Sequence, residues 1–238
     1  MNRQKLWIMK QEWHDVVFLH WPVGKEWLRR FVPGRLEIDL YNGQAWIGVV
    51  LFQAKATRLR LLPPIPGTRS YLELNVRTYV KYGDRQGVYF FSLDADSPLA
   101  VEVAGFGDFL PYRHAEMKLK KRKGQLEFCN RRIPADSFPE SLKITFQPDS
   151  EPIAGSRIEK WLTERYCLWT KPQKQLWRVD ISHSPWSLQY IKGEIYRNSM
   201  VAFLPVSLHH ALPMAHYAKK KKVRFMPPVR EPEKEHLS

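Results

Sequence analysis

Residues 71–79 read YLELNVRTY and contain the clearest strand pattern in the chain. Successive side chains of a β-strand point to opposite faces, so the aliphatic residues at positions 72, 74 and 76 share one face. The other face carries Glu73, Asn75, Arg77 and Tyr79. In a simple antiparallel sheet such a polar face meets solvent, whereas in a closed sheet it can line a polar pocket. The pattern alone leaves both interpretations open.

Similar short runs, rich in apolar and aromatic residues and separated by Gly, Pro, Asn and Asp, recur along the whole chain and predict about a dozen strands. Asn42-Gly43, between two apolar runs, predicts a tight type I′ hairpin, and Lys123-Gly124 predicts a second hairpin. Helices are predicted at residues 24–32, at 99–104 and after the Ser156–Glu159 capping box. The fold class is therefore α+β and mostly β, with a largely antiparallel sheet.

The 238 residues carry a net charge of +14, and 44% of them are hydrophobic. This composition predicts a globular protein with a substantial core, because disordered chains lack aromatic and branched residues. We expect a single domain over residues 1–226 and a disordered tail over 227–238, which is rich in proline and charge. With neither a secretory signal pattern nor an apolar run long enough to span a membrane, we expect a cytoplasmic protein with no membrane partner.

Motifs for metals, nucleotides and nucleophilic serines are missing from the sequence. His209, His210 and His216 lack the spacing of a zinc site, and Cys129 and Cys167 have no Cys-x-x-Cys partner. Neither a phosphate-binding glycine loop nor a Gly-x-Ser-x-Gly turn occurs. We therefore predict no metal and no cofactor.

Two basic runs, residues 118–123 and 219–224, hold five positive charges each. Together they account for ten of the fourteen surplus charges. Such runs suit contact with a phosphate backbone, but they also suit solvation of hairpins and sheet edges. Since no nucleic-acid reading module accompanies them, the sequence favours surface charge over a nucleic-acid partner.

Three further groups combine side chains that can bind a ligand. Glu164 and Arg165 lie where the capped helix passes into a strand, and Tyr112 and His114 lie between a helix and a strand. Residues 183–186 form a turn with an imidazole and an indole. Each group suits a ligand site, and each equally suits an ordinary surface or an orienting ion pair.

Several segments together resemble the YqjF-like family of uncharacterised bacterial proteins, in order over roughly residues 13–228. They are HWPV (20–23), LRRFVP (28–33), LEID (36–39), GQAWIG (43–48), ELNVRTYV (73–80), GVYFFSLD (87–94), LPY (110–112), WLTERY (161–166) and HSPWSLQ (183–189).

The first half is also distantly similar to acetoacetate decarboxylase. That resemblance implies a strongly curved sheet that closes into a cone or barrel around a cavity, with short helices outside. It also favours an interior position for the polar face of residues 73–79.

The resemblance to the decarboxylase fails at its nucleophile. Its Pro-Lys-Lys segment, whose first lysine forms a Schiff base with a β-keto acid, falls on Pro111-Tyr112-Arg113. Tyrosine cannot form an imine, so the sequence disfavours classical decarboxylase activity. Glu73 matches one acidic active-site position of that family.

The leading hypothesis is a protein that binds a small organic acid, carbonyl or aromatic compound in the sheet cavity. The expected ligand-binding residues are Glu73, Arg77, Tyr112, His114, Glu164 and Arg165. Arg77 or Arg165 would pair with an anionic group, and Tyr112 would donate a hydrogen bond.

Two alternatives remain. The first is an acid–base enzyme, lyase-like or hydrolase-like, with Glu73 or Glu164 as base and Tyr112 as acid. The second is a nucleic-acid binder that uses the basic runs.

Overall fold

The structure is a computed structural model that describes residues 6–62, 69–104, 109–133, 140–205, 208 and 211–232, with only the backbone of residues 103 and 104. Within these ranges, thirteen strands form one sheet. In chain order they are β1 (Met9–Val23), β2 (Glu37–Ile38), β3 (Ala45–Leu59), β4 (Ser70–Tyr82), β5 (Arg85–Ala95), β6 (Tyr112–Arg122), β7 (Gln125–Arg132), β8 (Ser141–Pro148), β9 (Cys167–Thr170), β10 (Trp177–Ser182), β11 (Gln189–Asn198), β12 (Met214–Phe225) and β13 (Val229–Arg230). The α-helices of the described ranges are α1 (Lys25–Arg29), α2 (Pro98–Ala104) and α3 (Arg157–Thr163). None of these helices has the length and apolar character needed to cross a bilayer.

The sheet closes into a nine-stranded barrel in the order β5-β6-β7-β8-β11-β12-β1-β3-β4, because β4 pairs with β5. A second closed circuit runs through β9 and β10. The first part of β5 pairs with β9 and its last part with β6, both in parallel, while the end of β12 pairs with β10. Strands β1, β3 and β4 therefore belong to both circuits, and both of their faces are covered.

The two faces of these shared strands have different contents. The face that includes Val17, Val49 and Leu74 packs with residues of β6, β7 and β8 into the largest apolar cluster, which fills the barrel. The opposite face is covered by α3, β9, β10 and the 183–188 segment, whose side chains pack on Phe18 and Tyr79. Because β4 is covered on both sides, its polar face is buried and does not meet solvent.

Local sequence signals account for the turns that connect these strands. Asn42 and Gly43 both take positive φ, 48° and 81°, in the predicted hairpin, and Lys123 and Gly124 do the same between β6 and β7. The Ser156–Glu159 capping box forms as predicted at the start of α3. The predicted fold class, a curved and largely antiparallel sheet closing into a barrel with short helices, is confirmed.

Two boundaries differ from the sequence prediction, those of the first helix and of the C-terminal tail. Helix α1 is shorter than residues 24–32, because the Arg29 side chain donates hydrogen bonds to the carbonyls of Val32 and Pro33 where the chain turns away. The second basic run lies inside β12, which pairs with β1 along most of its length, whereas its other side pairs with β11 only at residues 216–217 and with β10 only at 224–225. The ordered chain extends past residue 226, because β13 pairs with β10; residues 233–238 of the predicted tail lie outside the described residues.

Candidate functional site

Glu73 of β4 and Tyr112 of β6 form the first half of the candidate site. The Tyr112 hydroxyl donates a hydrogen bond of 3.0 Å to Glu73 Oε2. Glu73 is 5% exposed. Burial raises the pKa of Glu73 to about 7, against the hydrogen bonds from Tyr112 and Asn75, which lower it. Burial and the nearby Glu73 raise the pKa of Tyr112, so its hydroxyl stays protonated and available as a donor.

Arg77 lies four residues further along the same face of β4. It is 9% exposed, and its guanidinium lies 5.8 Å from the ring centroid of Phe18. Its Nε and Nη2 atoms find no hydrogen-bond partner in the described part of the chain, where no carboxylate forms an ion pair with it either. A buried charge without a counter-charge is costly, so this guanidinium suits an anionic ligand group.

Two other buried arginines provide a comparison. Arg132 donates to Asp94, to Ser92 and to Glu140, and Arg165 donates to Asp39 over 2.7 Å. Their charges are therefore compensated within the protein. Arg77 differs from both because no carboxylate of the described ranges forms an ion pair with it.

His20 of β1 lies beside Arg77 and Tyr79 and was not identified by the sequence analysis. It is completely buried, and neither of its ring nitrogens has a partner among the described residues. The ring lies 6.0 Å from Tyr79 and 6.1 Å from Phe18, between centroids. Burial, together with the nearby charges of Arg77 and His216, holds the pKa of His20 well below its usual range, so the imidazole is neutral.

Gly48 of β3 permits this arrangement. A Cβ atom at position 48 would come within 3.0 Å of His20 Cδ2 and 3.3 Å of the Tyr79 hydroxyl. The close approach of two polar rings therefore explains why position 48 is a glycine.

Arg165 and Glu164 reach the other end of this region with different roles. The Arg165 guanidinium stacks over Trp161 at 4.2 Å and over Tyr79 at 5.0 Å, so it closes the Tyr79 end of the polar face. Glu164 does not join it: its Oε1 accepts a hydrogen bond from the backbone N–H of Trp186 over 2.7 Å. Glu164 thus holds the 183–188 segment in place.

His114 follows Tyr112 on β6 but is not brought to Arg77. Its described interaction is electrostatic, with Asp96. Of the six predicted residues, the structure pairs Glu73 with Tyr112 and places Arg77 and Arg165 on either side of Tyr79. Glu164 and His114 lie apart from that group.

Lys221 corrects the interpretation of the second basic run as surface charge. It is buried, and its Nζ donates hydrogen bonds to Ser184 Oγ over 3.2 Å and to the Pro185 carbonyl over 2.6 Å. The ammonium also lies 5.2 Å from the Trp186 ring centroid, and burial lowers its pKa. Neighbours in the run remain exposed, and Lys220 forms an ion pair with Glu12.

A separate cleft of about 630 Å³ opens beside β5 and the start of β6. Aromatic side chains of Phe31, Phe91 and Phe203 contact one another along it, and Tyr112 also lines it. Arg113 and Arg132 both line this cleft, and the charge of Arg132 is already compensated. Tyr112 thus lies between the open cleft and buried Glu73.

No three His, Cys, Asp or Glu side chains of the described residues form a group that could hold a metal ion. His209 and His210 lie outside the described residues. His216 instead donates from Nε2 to Glu159 over 2.8 Å, which ties β12 to the start of α3.

Comparisons with known proteins agree with this architecture. The model of the DUF2071 family, described as an uncharacterized conserved protein, matches residues 10–222. The uncharacterized protein YqjF of Bacillus subtilis (strain 168) is 43% identical over 224 residues, which cover 93% of this chain and 92% of that protein.

Solved structures resemble the fold at low sequence identity. The enduracididine biosynthesis enzyme MppR complexed with pyruvate superposes with a TM-score of 0.67 at 11% identity, covering 96% of this chain and 92% of that one. An acetoacetate decarboxylase-like enzyme from Sphingomonas wittichii RW1 gives a TM-score of 0.64 at 14% identity, covering 94% and 93%. These likenesses establish the fold.

Proposed function

The chain belongs to the DUF2071 family of uncharacterised conserved proteins, and from that premise we propose that it binds a small organic acid, or a small carbonyl or aromatic compound with an acidic group. The ligand lies along the buried polar face of β4, which we call the polar stripe: Glu73, Asn75, Arg77 and Tyr79. Arg77 pairs with the anionic group, and Tyr112 lines the Glu73 end.

The observation that carries this proposal is the uncompensated guanidinium of Arg77. Proteins pair buried charges because an isolated one costs several kcal/mol or shifts to its neutral form, and arginine does not deprotonate in proteins. In the described part of this chain Arg132 and Arg165 have carboxylate partners and Arg77 has none. A ligand carboxylate accounts for that difference.

The relatives support a small anionic ligand without supplying its identity. MppR, which shares the fold, has been solved with pyruvate bound. Tyr112 stands where the resemblance predicts an imine-forming lysine, so the binding proposed is non-covalent. The aromatic rings of Phe18, Tyr79 and Trp161 around the stripe provide apolar walls of the kind that ligand sites have.

The test is an affinity measurement on Arg77→Met by isothermal titration with a panel of small carboxylates. A charge-assisted contact is worth about 1.5–3 kcal/mol, so affinity should fall roughly 10- to 100-fold. The exposed Arg131, paired with Glu116 at 3.3 Å, provides the matched control, and Arg131→Met should bind as the wild type does. Equal affinity in wild type and Arg77→Met would refute the proposal.

A second candidate function, acid–base catalysis at the same site, is favoured by one observation: the pKa of Glu73 is raised to about 7. A carboxylate that titrates near neutrality, hydrogen-bonded to a protonated tyrosine, suits the transfer of a proton from carbon or oxygen. Exchange of the carbon-bound protons of small oxo acids in deuterated water, followed by NMR, tests it. We expect exchange by the wild type and not by Glu73→Gln; equal rates would exclude Glu73 as the base.

A further inference from the structure

The polar stripe offers hydrogen-bond acceptors as well as donors, and the acceptors restrict the ligand more than Arg77 does. A simple carboxylate carries acceptors only, so it satisfies Arg77 but leaves any acceptor of the site unpaired. Buried polar groups left unpaired cost about 1–3 kcal/mol each. The unpaired donors and acceptors of the polar stripe therefore indicate which groups the ligand carries.

Asn75 provides the first acceptor. Its side-chain amide donates to the Glu73 carboxylate, which fixes the orientation of the amide group. The remaining atom, Oδ1, is buried and has no partner within the described ranges. Asn75 is 4% exposed, so the missing donor is not bulk solvent.

His20 provides the second acceptor. A neutral imidazole carries its hydrogen on one nitrogen and a lone pair on the other, whichever tautomer forms. Nδ1 and Nε2 are both buried, and neither meets a partner in the described part of the chain. His20, whose ring lies beside Arg77 and Tyr79, therefore offers one donor and one acceptor that the described residues leave unpaired.

A hydroxyl group satisfies these atoms better than an ammonium group does. The positive charge of Arg77 is uncompensated within the described residues, and a second cation would increase the repulsion. The carboxylate of the stripe, Glu73, is shared with Tyr112 and Asn75 and is held close to its neutral form by burial. A neutral O–H group donates its single hydrogen to Asn75 Oδ1 at no electrostatic cost, and its oxygen accepts from the protonated nitrogen of His20.

We infer that the ligand of the polar stripe is a small hydroxy acid, with its carboxylate on Arg77 and its hydroxyl on Asn75 and His20. This inference rests on the proposed function, because it assumes that Arg77 binds the carboxylate. Because positions 75 and 77 are neighbours on one face of β4, the two groups lie close together on the ligand, as in an acid with its hydroxyl on the second or third carbon. Replacing the hydroxyl by a carbonyl or hydrogen leaves Asn75 Oδ1 unpaired.

The experiment is a titration of the full chain with two matched sets of acids. One set is lactate, pyruvate and propanoate; the other is 3-hydroxybutanoate, acetoacetate and butanoate. In at least one set the hydroxy acid should bind roughly 5- to 100-fold more tightly than both analogues, the ratio expected from pairing one buried acceptor. Alanine, the amino counterpart of lactate, should bind more weakly than lactate.

Variants separate the two levels of the proposal. His20→Phe keeps an aromatic ring against Phe18 and removes both nitrogens, and Asn75→Leu removes the amide oxygen. Asn75→Leu should abolish the preference for the hydroxy acid, and His20→Phe should reduce its advantage over the unsubstituted acid, while acid binding through Arg77 persists. Asn130, a buried asparagine that donates to Asp94 over 3.0 Å on the opposite face of the sheet, provides the control. Asn130→Leu should retain the preference, and urea unfolding establishes which variants are folded.

The outcomes are distinguishable. If the oxo or unsubstituted acid, or alanine, binds the wild type as tightly as the hydroxy acid, the hydroxy-acid inference is wrong and the proposed function stands. If none of the acids binds at millimolar concentration, or if all bind equally to Arg77→Met, the proposed function is wrong and the inference falls with it. Because the ligand series is measured on the wild type, a variant that fails to fold does not remove the test.

Discussion

Replacing Glu73 by glutamine should make the stability of the protein less dependent on pH. Glutamine has nearly the shape of a protonated glutamic acid and still accepts a hydrogen bond from Tyr112. The wild-type carboxyl, by contrast, must ionise in a buried position when the pH rises. Glu73→Gln therefore removes the cost of ionisation and keeps the contacts.

The magnitude follows from the two pKa values. The carboxyl has an ordinary pKa of 4.5 and, in the folded protein, a pKa raised to about 7 by burial. The unfolded chain thus binds fewer protons than the native one between these values, so stability falls as the pH rises through this window. Each pKa unit corresponds to about 1.4 kcal/mol, and the loss between about pH 5 and about pH 8 is roughly 2–3 kcal/mol.

The assay is urea unfolding of wild type and Glu73→Gln at about pH 5 and about pH 8. The two proteins should have similar free energies of unfolding at the lower pH, and the variant should be more stable by about 2–3 kcal/mol at the higher pH, or roughly 5–10 °C in Tm for a chain of this size. The exposed Glu116, paired with Arg131, provides the control for loss of a surface carboxylate, and Glu116→Gln should change the free energy of unfolding by no more than about 1 kcal/mol. A stability difference between Glu73→Gln and wild type that is the same at both pH values would refute the assignment of a raised pKa to Glu73.

Two further changes test the packing around the site. Arg132→Met should lower the free energy of unfolding in urea by about 3–5 kcal/mol, because it leaves the fully buried Asp94 without its cation. The double variant Arg132→Met with Asp94→Leu should recover part of that loss. A loss below about 1 kcal/mol for Arg132→Met would contradict the ion-pair assignment. Gly193→Ala should destabilise the protein by about 1–3 kcal/mol or more in urea unfolding, since the new Cβ would lie 2.0 Å from the Thr145 carbonyl oxygen across the β8–β11 pairing. Gly34→Ala, with open space around it, should be nearly neutral in the same assay. Equal stability of the two alanine variants would contradict the register of these strands.

Much of the local structure could be predicted from the sequence because it depends on neighbouring residues. The alternation at 71–79 predicts β4, the Asn42-Gly43 pair predicts a hairpin with two positive φ values, and Ser156 with Glu159 predicts the start of α3. Each signal acts within a few residues, through side-chain direction, backbone sterics or a reciprocal hydrogen bond. These elements need no tertiary information.

Residues that depend on distant segments were harder to identify. His20 and Lys221 lie in strands whose sequence gives no sign of the partner across the sheet, so a buried imidazole and a buried ammonium looked like ordinary polar positions. Glu164 and His114 had the right chemistry for a site, but their contacts are with the 183–188 segment and with Asp96. The chemical type of a residue therefore did not show that His20 and Lys221 are buried, or that Glu164 and His114 lie apart from the site.

The sequence by itself determined that one face of β4 is aliphatic and the other carries Glu73, Asn75, Arg77 and Tyr79, because the period of a strand is a local property. Only the tertiary structure decided that this polar face is buried. That outcome depends on β5 pairing with both β6 and β9, and on β12 pairing with both β11 and β10, so that a second layer covers the outside of the barrel. Burial by segments far away in sequence turns an ordinary polar face into a set of unpaired donors and acceptors, and that set carries the proposed function.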